Sequence, residues 1–178
     1  TTKFTWIPIY QELAKALSGW QNRQGELISF LNNLREQKYV ITSLQDKDSD
    51  GANFLLKESD PFTFFGVFNR GIKKDQRIAI LMEMKKYFSL QSSVPDDFDG
   101  VPVLVNMKSW FFPYQYGRDA NDISKLWHVF LLALENDPLD NAMFMQAFDD
   151  ALSVNQTNIN LTMGLFWIRP DTFLSLDG

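Results

Sequence analysis

The stretch Trp6-Ile-Pro-Ile-Tyr-Gln-Glu-Leu-Ala-Lys-Ala-Leu-Ser-Gly-Trp20 decides the fold. Its large apolar side chains recur every three or four residues, the spacing that places them on one face of an α-helix. The pattern resumes after Gly19 and Asn22, and it predicts a second helix over about residues 23–37 that folds back on the first. We therefore expect a helical hairpin. The side chains of the first face are Trp6, Ile9, Tyr10, Leu13, Leu17 and Trp20.

The middle of the chain predicts a small β element followed by two more helices. Residues 39–44 are rich in β-branched and aromatic side chains and predict a strand, which the polar residues 45–51 close with a turn. Asp60-Pro61 predicts a helix start, because aspartate caps free amides and proline at the first helical position loses none. We expect this helix to end at Gly71, and residues 74–88 predict another.

The second half begins with an irregular segment, residues 89–116, which contains three prolines and Gly100. Asp119 predicts the cap of a strong helix, and Asp137-Pro138 predicts the start of a further one through Leu152. Residues 161–176 mix glycine, β-branched and aromatic side chains and predict strand and turn. The fold class is mainly α (α+β), a single helical domain over residues 1–178 with about five or six helices and a small β element.

Composition and charge limit the classes of function. The 178 residues suffice for one core, and 16 phenylalanines and 5 tryptophans supply large buried areas. The sequence has no run of about 20 apolar residues and no signal-peptide pattern, so we expect a cytoplasmic protein without membrane contact. The absence of cysteine excludes disulfides, thiol nucleophiles and cysteine-based zinc sites. A net charge of −5 disfavours a surface that tracks phosphates everywhere.

Three acidic patterns resemble metal-binding sequences. Residues 46–51, Asp-Lys-Asp-Ser-Asp-Gly, match the first half of a calcium loop, but Lys57 stands where a closing glutamate is needed. Glu83-Met-Lys85 has the spacing of metal-dependent nucleases, yet it falls in a predicted helix where the two side chains diverge. An ordinary solvated turn or face is the favoured interpretation of all three. The third pattern consists of Asp96, Asp97 and Asp99.

No catalytic apparatus is complete in this sequence. The single histidine, His128, lies beside Trp127 without a recognisable serine nucleophile motif, and we interpret it as structural. The phosphate loop Gly-x-x-x-x-Gly-Lys-Ser/Thr is absent, so nucleotide hydrolysis by that route is excluded. We expect no catalytic residue, no metal and no cofactor in this domain.

Two segments have features of nucleic-acid binding. Residues 69–86 contain six basic and two acidic side chains, and residues 109–116, Ser-Trp-Phe-Phe-Pro-Tyr-Gln-Tyr, hold five aromatic rings after a lysine. Rings on a loop beside cations can stack on an extruded or unpaired base. The alternative is a strand that contributes alternate rings to the core. The candidate DNA-binding residues are Arg70, Lys73, Lys74, Arg77, Lys108, Trp110, Phe112, Tyr114 and Tyr116.

Several strings, which together span essentially the whole chain, resemble an N-terminal domain of McrB-like proteins. The two that carry the resemblance most are Asp-Pro-Phe-Thr-Phe-Phe-Gly-Val-Phe-Asn-Arg-Gly at 60–71 and Pro-Asp-Asp-Phe-Asp-Gly-Val-Pro-Val-Leu at 95–104. The others are Trp-Ile-Pro at 6–8, Ser-Trp-Phe-Phe at 109–112, Asp-Ile-Ser-Lys-Leu-Trp at 122–127 and Asn-Leu-Thr-Met-Gly-Leu-Phe-Trp-Ile-Arg-Pro at 160–170.

The resemblance implies a variable N-terminal specificity domain joined to an AAA+ motor, which hydrolyses GTP or ATP with magnesium and recruits a separate nuclease subunit. Such modules recognise DNA, often a methylated base, in restriction or phage defence. We therefore expect a DNA-recognition domain excised from a longer protein. The alternative is a regulatory domain that docks on its own motor or a partner subunit through exposed aromatic surface, without DNA binding. A metal-dependent enzyme is a third, weaker hypothesis.

Overall fold

The computed structural model describes residues 4–106 and 109–173. These residues contain seven α-helices and one two-stranded sheet, joined by loops and short 3-10 turns. The mainly α prediction is confirmed, with more helices than the five or six expected. The helices are α1 (Ile7–Leu17), α2 (Gln24–Glu36), α3 (Pro61–Gly66), α4 (Lys74–Phe88), α5 (Asp122–Ala133), α6 (Ala142–Leu152) and α7 (Asn158–Ile168). Strand β1 (Gln45–Lys47) pairs antiparallel with β2 (Asn53–Leu55), and Asp46 lies opposite Phe54.

Helix α1 buries the face that its sequence predicts, including Tyr10 and Leu13. It packs chiefly on α7 and α4 rather than on α2, so the expected hairpin is not the main packing. Helix α2 instead meets α4 through Phe30, whose ring stacks on Tyr87 with centroids 4.1 Å apart. Trp20, after α1, also lies against α4, 5.4 Å from the ring of Phe88. Aromatic packing on α4 therefore sets the positions of both N-terminal helices.

The C-terminal prediction of strand and turn is wrong for the described residues 161–173, because α7 runs from Asn158 to Ile168. The helix packs on α1, α3 and α6 and is apolar around much of its circumference, so its sequence lacks the periodicity of an amphipathic helix. Gly164 lies where a Cβ would come 2.5 Å from Cδ1 of Phe62, so glycine here permits the close approach of α3. Residues 174–176 of that prediction lie outside the described residues.

The predicted strand at residues 39–44 is also wrong, since the sheet begins one residue later, at Gln45. Ile41, Thr42 and Leu44 are all buried, so this segment packs by its side chains. The carbonyl of Val40 accepts a hydrogen bond from Arg70 rather than from a neighbouring strand. The polar residues 45–51, which were predicted to form a closing turn, instead include strand β1 (Gln45–Lys47).

Helix starts match the sequence only in part. The carboxylate of Asp60 accepts the amide of Thr63 at 3.0 Å, as predicted for α3, but that helix ends at Gly66 rather than at Gly71. Asp119 does not cap α5, which starts three residues later. Asp137-Pro138 begins only a short 3-10 turn, and α6 is capped by Asn141, which accepts the amide of Met143 at 2.9 Å.

Candidate functional site

A cleft of about 610 Å³ opens beside the start of β1. Its volume falls within the range of about 300–1,000 Å³ that is usual for small-molecule sites. We call it the Arg70 cleft. It combines aromatic rings with hydroxyl, amide and guanidinium groups, and its lining residues are Ile41, Thr42, Ser43, Gln45, Arg70, Asn106, Ser109, Trp110, Phe112, Tyr114 and Gln156.

The floor of the Arg70 cleft is the segment 109–112, which is fixed to the core on both sides. The amide of Phe111 donates to Oγ1 of Thr63 at 2.9 Å, and its carbonyl accepts from Oγ1 of Thr157 at 3.0 Å. A Cβ at Gly66 would lie 2.8 Å from Leu104 and 3.1 Å from the carbonyl of Ser109. Glycine at this position of α3 therefore allows the helix to pack this closely against Leu104 and Ser109.

A row of four rings leads from the interior to solvent along this segment. The centroids of Phe112 and Trp110 are 5.2 Å apart, those of Trp110 and Tyr114 are 5.5 Å apart, and those of Tyr114 and Tyr116 are 5.9 Å apart. Phe112 is fully buried, whereas Tyr114 and Tyr116 are 39% and 63% exposed. Trp110 is held by its indole N–H, which donates to the carbonyl of Ser43 at 3.1 Å. The inner rings therefore lie in the core and the outer rings in solvent. The segment forms no strand with alternate buried rings, because Trp110, Phe111 and Phe112 are buried in succession.

Arg70 lines the cleft although only 8% of it is exposed. Its Nε donates to the carbonyl of Val67 at 3.2 Å, just after α3, and one terminal nitrogen donates to Val40 at 2.9 Å. The other terminal nitrogen makes no hydrogen bond within residues 4–106 and 109–173, and no carboxylate there forms an ion pair with it. Burial lowers the pKa of this guanidinium. A positive charge therefore lies at the cleft without a countercharge in the described chain.

Arg77 does not join this surface, and the prediction that it contacts phosphates is corrected. It is also 8% exposed, its terminal nitrogen donates to the carbonyl of Arg70 at 3.2 Å, and its guanidinium lies 4.8 Å from the ring centroid of Phe98. Burial lowers its pKa as well. The same correction applies to Phe112, whose ring is covered by protein and cannot meet a base directly.

Of the other predicted cations, Lys73 and Lys74 are exposed at the start of α4. Lys108 lies outside the described residues. The structure thus brings four of the nine candidates together, with two lysines on the surface nearby in sequence. The four that line the cleft are Arg70, Trp110, Phe112 and Tyr114.

The polar residues of the cleft were missed by sequence analysis. The hydroxyls of Thr42 and Ser109 share a hydrogen bond of 2.6 Å, and the amides of Gln45 and Gln156 stand exposed at the rim. These residues come from three separate segments, and no local pattern marks them. Only the tertiary packing places them together.

A family model matches residues 6–178, and its description is domain of unknown function DUF8425. The chain belongs to this family. No curated protein and no solved structure matched the chain. The description of the DUF8425 family states no function, so the geometry of the cleft has to provide the functional hypothesis.

In this DUF8425 domain, two aspartates of residues 46–51, the stretch that resembles the first half of a calcium loop, accept hydrogen bonds from other groups of the chain. Asp46 is buried and accepts Nη2 of Arg118 at 2.8 Å and the amide of Gln115 at 2.9 Å, while Asp48 accepts the amides of Asp50 and Ala52 within its own turn. Over residues 4–106 and 109–173, no three acidic or histidine side chains are grouped to hold a metal ion.

The remaining acidic and histidine candidates also have ordinary partners or surface positions. Glu83 accepts the hydroxyl of Tyr39 at 2.9 Å and Nζ of Lys86 at 3.1 Å, and these bonds lower its pKa. Asp97 accepts the amide of Asp99 at 3.3 Å, which is the turn geometry expected there. His128 lies exposed on the surface of α5.

A second depression, of about 720 Å³, lies between α4 and residues 89–96. Its walls are mostly apolar, with Ile78, Met82 and Leu90 among them, and Lys85 and Lys86 at its edge. It contains no aromatic ring, which makes the Arg70 cleft the better candidate for recognising a planar ligand. None of the described helices has the length and apolar character needed to cross a bilayer.

Proposed function

We propose that this chain is a DNA-recognition domain that reads a base, as a specificity module of a McrB-like restriction or phage-defence system. The observation that supports the proposal most is the Arg70 cleft, in which Trp110 and Tyr114 stand beside a guanidinium and several amides. The sequence resemblance provides the system, and the cleft provides the physical means of recognition.

The ring row suits a base that has left the duplex stack. Tyr114 is 39% exposed, and its ring is held edge-on to Trp110, so a base can stack on it at little cost in side-chain entropy. Stacking on an aromatic side chain is worth about 1–3 kcal/mol per base. The exposed amides of Gln45 and Gln156 each offer a donor and an acceptor, the groups that read the edge of an extruded base.

The net charge of −5 sets the kind of DNA binding that we expect. Exposed Lys73 and Lys74, together with Lys47 beside the ring of Tyr114, can neutralise about three phosphates. Binding should therefore depend less steeply on salt than that of a basic protein. With three such contacts, affinity should fall roughly 40-fold between about 50 and 200 mM salt.

The experiment is a fluorescence-polarisation titration of methylated and unmethylated duplexes at those two salt concentrations. Tyr114→Ala should weaken binding roughly 5- to 150-fold, in line with the loss of one stacked base. Tyr87→Ala is the matched control, because Tyr87 is also 39% exposed but lies against Phe30, away from the cleft. Absence of binding at low salt, or equal losses in the two variants, would refute the proposal.

A second candidate function is docking on a partner, either the AAA+ motor or a nuclease subunit. It is favoured by large apolar side chains that stand exposed along α6 and its flanks, such as Met143 and Met145. On α6, Met145 and Leu152 lie seven residues apart and so share one face. If this function is the correct one, Met145→Asp should abolish co-purification with the motor domain, while DNA should bind neither form.

A further inference from the structure

Arg70 is a buried guanidinium that no carboxylate of the described residues neutralises by an ion pair. Arg77 is buried without an ion pair as well, but it does not line the cleft. Buried Asp46, by contrast, is paired with Arg118 at 2.8 Å. Within the described residues Arg70 has only the carbonyls of Val40 and Val67 as acceptors, and two carbonyl dipoles do not cancel a full charge. A buried cation in this state is stabilised by any anion that reaches it.

The cleft gives an anion access to that charge. Arg70 forms part of its lining, and one of its terminal nitrogens makes no hydrogen bond within the described residues. A guanidinium nitrogen with free N–H groups forms short, charge-assisted bonds to phosphate oxygens. The hydroxyls of Thr42 and Ser109 and the amide of Asn106 line the same space and can complete the oxygen shell.

The lining of the cleft also includes aromatic rings, which restricts the class of anion. Trp110 and Tyr114 offer ring surface, whereas inorganic phosphate alone would leave that surface unused. A volume of about 610 Å³ accommodates a base together with a sugar and one phosphate. We infer that the Arg70 cleft is a nucleotide site in which Arg70 binds the phosphate and the Trp110–Tyr114 pair holds the base.

This inference rests on the proposed function in one respect, namely that the planar group held by the aromatic rings is a nucleobase. The nucleotide can be a free mononucleotide or one unit of a DNA strand, and both present the same planar base and phosphate. The two sources differ in whether phosphates outside the cleft also contribute, through Lys73 and Lys74. Affinity for a mononucleotide should therefore be nearly independent of those lysines.

The test is calorimetric titration of the chain with the four deoxynucleosides, their 5′-monophosphates and a short single-stranded oligonucleotide. At least one monophosphate should bind about tenfold or more tightly than its nucleoside, because a hydrogen bond to a charged group adds that much. Inorganic phosphate should compete with it. Equal affinity for nucleoside and monophosphate would overturn the inference.

Arg70→Gln should remove the preference for the monophosphate. Arg169→Gln is the matched control, since Arg169 also donates to carbonyls at the end of a helix, those of Ala133 and Glu135, but lies outside the cleft. Should Arg70→Gln fail to fold, NMR of the wild-type chain replaces it, because phosphate should shift the Nε–H resonance of Arg70 and leave that of Arg169 in place. If phosphate shifts neither of these two Nε–H resonances, or shifts both by the same amount, the inference is also overturned.

The outcomes separate this inference from the proposed function. Preference for monophosphates without any oligonucleotide or duplex binding supports the nucleotide site and refutes DNA recognition. Duplex binding with no preference for monophosphates and no effect of Arg70→Gln refutes the site and leaves DNA recognition standing. Binding of none of these ligands refutes both.

Discussion

Arg118 donates Nη2 to Oδ2 of Asp46 at 2.8 Å, and this pair joins the segment after the ring row to strand β1. The side chains are 10% and 1% exposed, so the pair is buried. The guanidinium also donates to the carbonyl of Pro113 at 2.8 Å and lies over the ring of Phe112 at 5.2 Å. One arginine therefore connects the middle of the ring-bearing segment to strand β1.

Removing one partner of this pair should destabilise the protein strongly. Arg118→Met leaves the carboxylate of Asp46 buried without its cation, and we expect a loss of about 3–5 kcal/mol in the free energy of unfolding, measured by urea titration. Glu26→Gln is the control, because the Arg23–Glu26 pair is half exposed and its loss should leave the unfolding midpoint unchanged. A loss for Arg118→Met no larger than that of the control would contradict the assignment of a buried pair.

Gly164 should not tolerate a side chain. Gly164→Ala places a Cβ 2.5 Å from the ring of Phe62, which cannot retreat because it packs between Phe111 and Phe130 at 5.6 Å from each. We expect a loss of about 1–3 kcal/mol from overpacking, measured by thermal unfolding. Gly25→Ala is the matched change in α2, where nothing lies within 4 Å, and it should be neutral or stabilising by up to about 1 kcal/mol. Equal behaviour of the two variants would be evidence against this packing of α7 on α3.

The buried carboxyl of Asp60 should make stability depend on pH. Burial raises its pKa from 3.8 to about 6, so the folded state holds a proton that the unfolded state releases. Its contribution is complete below pH 3.8 and is lost as pH rises through about 6. Relative to Asp60→Asn, the wild type should therefore lose roughly 2 kcal/mol between pH 4 and 7. Parallel stability profiles of the two proteins over this range would show that Asp60 is not buried as described.

Thr157 should contribute to stability through one hydrogen bond. Thr157→Val keeps the shape of the side chain but leaves the carbonyl of Phe111 without its donor, and we expect a loss of about 1–3 kcal/mol. The control is Thr162→Val in the same helix, whose hydroxyl donates to the carbonyl of Ile159 near the surface. Chemical denaturation of both variants gives the comparison, and a smaller loss for Thr157→Val than for the control would contradict the bond.

Local patterns in the sequence were sufficient for several elements that have one apolar face. Helices α2 and α4 were placed to within one residue at each end, and the start of α3 followed from Asp60-Pro61. The buried face of α1 was identified, although the helix ends at Leu17, before Trp20. Helix α7 was missed because it is apolar around much of its circumference, and its glycine reads as a breaker although Phe62 requires it. Hydrophobic periodicity in a sequence indicates a helix only when one face of that helix is buried and the other is exposed.

The candidate site was predictable only where a single segment supplies it. The aromatic stretch that includes Trp110 and Tyr114 was identified, but which rings are buried depends on Thr63 and Thr157, distant in sequence. The basic segment was only partly informative, because Arg70 lines the cleft while Arg77 is buried elsewhere, and net charge along a chain does not show which side chains are exposed. The polar lining of the cleft comes from residues with no mutual spacing to detect.

The double attachment of Phe111 has a consequence for how this family can diversify. Because its amide and carbonyl are both bound by core threonines, the backbone there has no freedom to slide along its own axis. Residues 114–116 are exposed, so replacing them can alter the shape and chemistry of the cleft mouth. The backbone at Phe111 should keep its position when they are replaced. The residues at the cleft mouth can therefore change during evolution without loss of the hydrogen bonds that stabilise the fold.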